Sequence, residues 1–339
     1  MDIRKRVHVA IVGASGAVGE TMLSILEERQ FPLTELTLLA SRRSAGQTRI
    51  FRGRPLSIKE LTPESFEGVD IALFSAGASV SAEFAPHAVK AGAVVIDNTS
   101  YFRRDSEIPL VVPEINPQEI FRHKGIISNP NCSTIQMLLA IKPIHDKVGV
   151  KRIVVSTYQS VSGAGRSAIN EMLEQTRLAL AGENITPRKF PHQIAFNAIP
   201  HIDIFMDNGY TKEEMKMVWE TKKIMGDDSI AVTSTCVRLP FVSAHAEAVN
   251  VETRSKITAA EVRELLRCAP GVELMDDPSQ NIYPMPIKGA GRDPSYVGRI
   301  REDESIPNGI NMWVVSDNLR KGAALNAVQI AEVLIGGKA

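Results

Sequence analysis

The segment Ser128-Asn129-Pro130-Asn131-Cys132-Ser133-Thr134 sets a cysteine where a turn gives way to apolar residues at helical spacing, Ile135, Leu138, Leu139 and Ile141. That pattern predicts a helix with Cys132 at its N-terminus. A thiol there faces backbone N–H donors and the positive end of the helix dipole, which favour the thiolate. Such a thiolate is a covalent catalyst for an aldehyde or an acyl phosphate, because the thioester it forms passes readily to a second nucleophile. A cysteine can equally be a small buried hydrophobe. Cys236, in Thr235-Cys236-Val237, and Cys268, ending a helical pattern, read that way; the Asn-Pro-Asn turn sets Cys132 apart.

Val7 to Val12 runs straight into Gly13-Ala14-Ser15-Gly16-Ala17-Val18-Gly19, after which a second helical pattern begins. Glycines spaced GxxGxxG between a strand and a helix allow a tight turn and a close approach of backbone to a pyrophosphate. The helix start adds free N–H groups. The next strand, Leu36 to Ala40, ends in Ser41-Arg42-Arg43-Ser44 rather than in the carboxylate that usually grips the ribose of NAD. Two guanidiniums and two hydroxyls suit a 2′-phosphate, so NADP is the expected cofactor, unless the arginines are solvated loop residues.

These groups need a scaffold. At 339 residues the chain has length for about two domains. Its first third alternates apolar runs (Val7 to Val12, Leu36 to Ala40, Asp70 to Ser75, Ala93 to Asp97) with amphipathic stretches (Ala17 to Glu28, Ala82 to Ala91), the pattern of βαβ units on a parallel sheet. Ligands of such sheets sit beyond the carboxyl ends of the strands, which draws attention to Asn98 to Arg104 as well. After about residue 150 longer β-rich runs appear, Arg152 to Val161, Ile230 to Arg238 and His245 to Glu252. They mix with helical patterns near 165–180, 212–225 and 258–268, which predicts an α+β domain. Ala181 to Ala198 reads as a long excursion, a lid or a subunit contact, and Ala323 to Ile335 as a closing helix.

Taken in order, the Gly13 loop, Ser128 to Thr134, Tyr158-Gln159-Ser160-Val161-Ser162-Gly163-Ala164-Gly165, Arg238-Leu239-Pro240 to His245, and Ser316-Asp317-Asn318-Leu319 resemble the aspartate-β-semialdehyde dehydrogenase family across nearly the whole chain. The resemblance implies an NADP-linked, phosphate-dependent oxidation of aspartate semialdehyde to aspartyl phosphate, run in reverse during synthesis of lysine, methionine and threonine. It makes Cys132 the acylated nucleophile, His245 the acid/base and Gln159 a substrate-orienting amide. Arg238 would hold the substrate carboxylate, Glu220 its amino group, and Lys223 with Arg103 the phosphate, assisted by Asn131; Arg104 competes with Arg103 for that part. Ser162, Gly163 and Asn318 would meet the nicotinamide half of the cofactor. Without the resemblance, Glu220 and Lys223, three apart on a helical pattern, read as a surface ion pair. Arg238 and His245, seven apart, would face opposite ways on one strand unless Pro240 breaks it.

The expected architecture is a doubly wound, Rossmann-type NADP-binding domain, 1–131 plus 319–339, and an α+β catalytic and dimerisation domain, 132–318. A homodimer or tetramer comes from the resemblance alone. N-acetyl-γ-glutamyl-phosphate reductase is the nearest rival, but its nucleophile segment reads Pro-Gly-Cys-Tyr where this one reads Pro-Asn-Cys-Ser. A catalytically silent NADP-binding relative would lack the cysteine or the histidine. No CxxC, HExxH or clustered Cys/His set suggests a metal. With 39 basic and 39 acidic residues the formal charge is zero, and aromatics are only 5%, so neither nucleic acid nor an anionic membrane is an expected partner. Three separated cysteines suit a reducing, cytoplasmic setting. The basic start before Val7 resembles a secretory signal only until His8 and Gly13 cut its apolar run.

Overall fold

The computed structural model describes residues 5–336, which divide into two compact units, 5–130 with 323–336, and Asn131–Gly322. The division falls at 130/131 and 322/323, against the expected 131/132 and 318/319.

The first unit is a seven-stranded sheet. Its strands are β1 (Val7–Val12), β2 (Leu33–Ala40), β3 (Thr48–Phe51), β4 (Arg54–Glu60), β5 (Ile71–Phe74), β6 (Val94–Asp97) and β7 (Ile126–Ser128), in the order β3-β4-β2-β1-β5-β6-β7. All pairings are parallel except β3 with β4, an antiparallel edge hairpin that drew no expectation from the sequence. The helices α1 (Ala17–Glu28) and α2 (Ala78–Lys90) follow β1 and β5. The central strands β1 and β5 are nearly continuous apolar runs because both faces are covered. Val9, Ile11, Leu38 and Leu73 pack with Met22 and Leu26 of α1, whereas Ala10, Val12, Leu39 and Phe74 pack with Ala85 and Ala88 of α2. The doubly wound, Rossmann-type expectation holds for this unit.

The second unit opens with α3 (Cys132–Val148) and builds a six-stranded mixed sheet. Its strands are β8 (Val150–Gln159), β9 (Ala231–Arg238), β10 (His245–Thr253), β11 (Val272–Leu274), β12 (Ser295–Asp303) and β13 (Gly309–Ser316), in the order β11-β12-β13-β10-β8-β9. Between them run α4 (Arg166–Ala181), α5 (Lys212–Met225), α6 (Ala259–Arg267) and a single turn, α7 (Pro286–Gly289). α3 lies against β8, β10, β12 and β13, with α5 and α6 beside it. The opposite face carries Tyr158 and Trp313, half-buried and 5.3 Å apart between ring centres.

The 181–198 stretch is irregular but tied down. Glu171 of α4 accepts the backbone N–H groups of Arg188 and Lys189, and Gln175 accepts those of Ile194 and Ala195. The closing helix, α8 (Leu325–Leu334), belongs to the first unit, where Glu332 takes both Nε and Nη2 of Arg29 at 2.9 and 2.7 Å. Among the described residues no helix is long and apolar enough to cross a membrane.

Candidate active site

The helix α3 begins at Cys132, as its sequence pattern predicts. Asn131 is the N-cap, its Oδ1 accepting from the N–H groups of Ser133 and Thr134 at 3.0 and 3.3 Å. The Asn131 amide is therefore engaged at the helix end, and its Nδ2 donates to Glu213 at 2.9 Å. Cys132 itself is half-buried and in no disulfide. Gly322 presses against it: a Cβ there would lie 2.8 Å from the Cβ of Cys132, so only glycine fits beside the thiol.

Strand order settles the spacing of Arg238 and His245. β9 runs parallel to β8 and pairs Arg238 with Gln159. β10 runs antiparallel on the other flank of β8, with Ala246 opposite Tyr158, so His245 stands beside Gln159 at the start of its strand. Arg238, Gln159 and His245 thus form one row across three strands, on the face that α3 covers. All three are buried. Two turns of backbone close the row: Leu239 N–H donates to Gln159 O at 2.9 Å and Val161 N–H to Phe241 O at 2.9 Å.

His245 accepts the backbone N–H of Ser160 on Nδ1 at 3.0 Å, and the Ser160 hydroxyl lies 3.1 Å from the same atom. A lone pair used in this way puts the proton of the neutral ring on Nε2, which has no protein partner. Burial, and then the Arg238 charge, hold the imidazole down to about 3. Arg238 donates from Nη1 to Ser160 O at 2.6 Å, and Gly163 lies over both, its missing Cβ 3.2 Å from Arg238 Nη1 and 3.5 Å from His245 Nε2. A side chain at residue 163 would crowd both.

Asn318, expected at the nicotinamide, is tied into the network around His245. Its Oδ1 accepts from the Ser160 hydroxyl at 3.0 Å and from Ala244 N–H at 3.1 Å, and its Nδ2 donates to the Ser162 hydroxyl at 3.0 Å. Ala244 has φ of 67°, a left-handed conformation that a residue with a side chain holds only under constraint. Both ends of the Asn318 amide are thus used in fixing the approach to His245, and the Ser162 hydroxyl is drawn into the same network.

One stripe of α5 faces the start of α3. Glu220 accepts the N–H of Asn131 at 2.6 Å; it is buried, and Lys223 half-buried, so neither is the freely solvated partner of a surface pair. One and two turns earlier on this stripe stand Lys216 and Glu213, which drew no expectation from the sequence. The alternating charges at 213, 216, 220 and 223 are spaced 3, 4 and 3 apart, the signal of a single helix face. Burial works against the Glu213 charge, yet Lys216 and the amides of Asn131 and Gln159 outweigh it and hold the carboxyl at about 2. Below the row of Gln159 and His245 lies Glu247, opposite Thr157, fully buried and facing Gln136 and Ser133; burial pushes its carboxyl well up. Burial likewise pushes the Cys236 thiol up, as expected of a core residue.

In the first unit, Gly13 has φ of 92°, and a Cβ there would meet Ala76 N at 2.9 Å. A Cβ on Gly19 would strike Gly13 O at 2.3 Å, so this glycine lets α1 pack on the loop. Gly16 is the N-cap and no side chain caps α1. The helix start with Ala14, Ser15, Ala17 and Val18 around it therefore fits a pyrophosphate. Ser41, Arg42 and Arg43 are exposed at the carboxyl end of β2, where a ribose phosphate would be met, and Ser44 is buried in a short 3-10 turn. Arg103 turns inward and donates to Asn98 O at 2.9 Å; Arg104 is exposed. Among the described residues no His/Cys/Asp/Glu group could hold a metal.

Known proteins match both units. The family profile described as semialdehyde dehydrogenase, NAD binding domain, covers residues 8–123, and that described as semialdehyde dehydrogenase, dimerisation domain, covers 141–321. The aspartate-semialdehyde dehydrogenase of Aquifex aeolicus is 57% identical over 332 residues, 97% of this chain and 98% of that protein. That of Bacillus subtilis is 56% identical over 335 residues, 96% of this chain and 97% of the relative. The crystal structure of aspartate semialdehyde dehydrogenase II from Vibrio cholerae complexed with ASA aligns with a TM-score of 0.94 at 56% identity, over 98% of each chain. The enzyme of Candida albicans, solved with NADP, aligns at 0.76 with 26% identity, over 97% of this chain and 98% of that one. With a cysteine on a helix start, a glycine loop on a Rossmann sheet and likeness of this extent, the chain belongs to the aspartate-semialdehyde dehydrogenase family.

Proposed function

We propose that the chain interconverts L-aspartate 4-semialdehyde and L-4-aspartyl phosphate in an NADP-linked, phosphate-dependent reaction through a thioester on Cys132. The observation that carries this reading is the amide-capped start of α3, with Cys132 half-buried beside the row of Arg238, Gln159 and His245. The Cys132 sulfur adds to the aldehyde carbon, giving a thiohemiacetal whose oxygen is met by the Nε2–H of His245. The nicotinamide cofactor, when bound, supplies the hydride acceptor. Loss of the hydroxyl proton together with the carbon-bound hydride leaves an acyl-thioester on Cys132, and phosphate oxygen then attacks its carbon, releasing the thiolate and aspartyl phosphate.

Arg238 offers a guanidinium to the substrate carboxylate, and Glu220 a carboxylate to its amino group. Lys223 is assigned the phosphate, and the resemblance gives Arg103 the same part. Asn131 serves by capping the helix that carries the thiol. Exposed Arg42 and Arg43 favour NADP over NAD, and the complex with NADP in the Candida albicans relative supports that choice. The half-buried face of the second sheet with Tyr158 and Trp313 suits a homodimer contact, and the chemistry suits the cytoplasm. The test is reduction of NADP or NAD, followed optically, with L-aspartate semialdehyde or N-acetyl-L-glutamate semialdehyde, each with and without phosphate. Phosphate-dependent turnover of the first substrate with NADP is expected. Turnover of the second alone overturns the substrate, and turnover without phosphate overturns the acyl-transfer step.

A further inference from the structure

Asp317 stands between Ser316, which ends β13, and Asn318, and its carboxyl is buried, 3% exposed. Oδ1 accepts from Leu319 N–H at 2.8 Å and from Arg320 N–H at 3.0 Å. Oδ2 accepts from Gly291 N–H at 2.7 Å and from the Ser243 hydroxyl at 3.1 Å. Each oxygen thus accepts twice, which only a carboxylate can do on both sides at once.

These bonds begin where backbone pairing ends. The ladder of β10 with β13 closes with His245 opposite Ser316. Beyond that pair the two chains are joined through side chains: the Ser243 hydroxyl to Asp317, and Ala244 N–H to Asn318. The left-handed turn at Ala244, which leads the chain into His245, is therefore clamped at two consecutive residues. The other oxygen of Asp317 works toward the thiol. By gathering the N–H groups of Leu319 and Arg320 it turns the chain into the helical stretch that opens at Arg320, in the manner of a capping side chain. The same turn brings Gly322 N–H to Asp317 O at 3.1 Å, and Gly322 is the residue that lies against Cys132. Arg320 Nε reaches Asp293 at 2.6 Å, a second tie between this turn and the loop that carries Gly291.

We propose that Asp317 is a positioning residue that holds the turn before His245 and the wall behind Cys132 in fixed relation, one carboxylate oxygen serving each. Misplacing a reacting group by about 1 Å can cost a hundredfold in rate. The coupling is accordingly read in kcat and not in the affinity for the cofactor.

The kinetic readout rests on the proposed thioester reaction. The experiment uses the full chain with Asp317→Ala, Ser243→Ala and the pair, reading kcat and KM for aspartate semialdehyde and NADP. Asp317→Ala is expected to lower kcat about thirtyfold or more with KM for NADP within about threefold, and Ser243→Ala, which releases only the His245 side, to lower kcat about fivefold. The pair should fall no further than about twofold below Asp317→Ala, because the hydroxyl acts through the carboxylate. Losses that multiply, or a loss confined to NADP binding, overturn the proposal. Two further readouts need no turnover. Iodoacetamide should alkylate Cys132 about threefold faster or more in Asp317→Ala, whose wall is loosened, and at the wild-type rate in Ser243→Ala. A rate unchanged or slowed in Asp317→Ala overturns the thiol side. The imidazole nitrogen signals of His245, read by NMR with isotope-labelled histidine and identified by their loss in His245→Gln, should move in both variants. Signals that stay in place in either overturn the histidine side. Should Asp317→Ala fail to fold, Asp317→Asn keeps an oxygen for Leu319 and Arg320 while its nitrogen faces Gly291 N–H, and it should behave as Ser243→Ala does; an accelerated alkylation or unmoved His245 signals there overturn the inference. A wild-type chain inactive on aspartate semialdehyde sinks the proposed function, while alkylation and the His245 signals still decide the role of Asp317.

Discussion

His245 makes the folded chain sensitive to acid in a way that can be worked out in advance. Its imidazole is held at about 3, against an ordinary value of 6.5, by burial and by the Arg238 charge. At about 1.4 kcal/mol per pH unit the gap corresponds to roughly 5 kcal/mol against protonating the folded site. The unfolded chain takes up this proton as pH falls through 6.5, and the folded chain does not until about 3. Stability is therefore complete above the higher value and is lost progressively between the two. From pH 7 to pH 5 the share due to His245 is roughly 2 kcal/mol. His245→Gln removes the titration and hence this share. The assay is urea unfolding of wild type and variant at pH 7 and pH 5, followed by the fluorescence of Trp219 and Trp313, the chain's two tryptophans, both in the unit that carries His245. Wild type should lose roughly 2 kcal/mol more than the variant over this interval. Equal losses refute the reasoning, since they mean that the folded imidazole accepts a proton as readily as the unfolded one. By the same argument kcat/KM of the wild type should show no inflection near 6.5 that vanishes in His245→Gln.

Glu247 works in the opposite direction: burial raises its carboxyl, so the folded chain loses stability as pH climbs above the ordinary value of 4.5, where the unfolded carboxyl ionises. Glu247→Gln should raise the urea midpoint, more at pH 8 than at pH 5, and an unchanged midpoint at pH 8 contradicts this. Asn318→Ala releases Ala244 N–H and the Ser160 hydroxyl, so kcat should fall about tenfold while NADP affinity stays within about threefold; the reverse pattern would return Asn318 to the cofactor. Brief iodoacetamide treatment near neutral pH should label Cys132 first and Cys236 last, with substrate protecting Cys132. Cys268 is exposed but stands at the carbonyl end of α6, so early labelling there would sink the account of the α3 N-terminus.

What the sequence disclosed best were features whose signal is local. The strand, glycine loop and helix of 7–28 are adjacent in the chain, and the cap and apolar spacing around Cys132 are read within about a dozen residues. The convergence of Arg238 and His245 is different in kind. Counting parity along one strand leaves the matter open, and only the placement of β9 and β10 on opposite flanks of β8 brings both to Gln159. The hairpin β3–β4 and the strand β12 drew no expectation because their residues mix charges with apolar positions: β12 carries Arg299, Arg301, Glu302 and Asp303. Glu213 and Lys216 escaped notice because charged residues on a helix are ordinarily solvated. Gln159 reads from sequence as an isolated amide, and the carboxylate that takes one of its N–H groups comes from a helix more than fifty residues further along the chain.

The chain of charges from Asp203 through Lys216 to Glu213 also bears on how the site responds to heat. Ions buried at 25 °C are held against a strong preference for water, and that preference weakens on warming because ionic hydration carries an unfavourable entropy. Apolar burial gains no comparable advantage. The support beneath Gln159 and Asn131 thus becomes less costly as temperature rises, while the packed sheets around it approach melting. Thermal inactivation should then coincide with unfolding of the whole unit, with no earlier loosening of the geometry around the thiol.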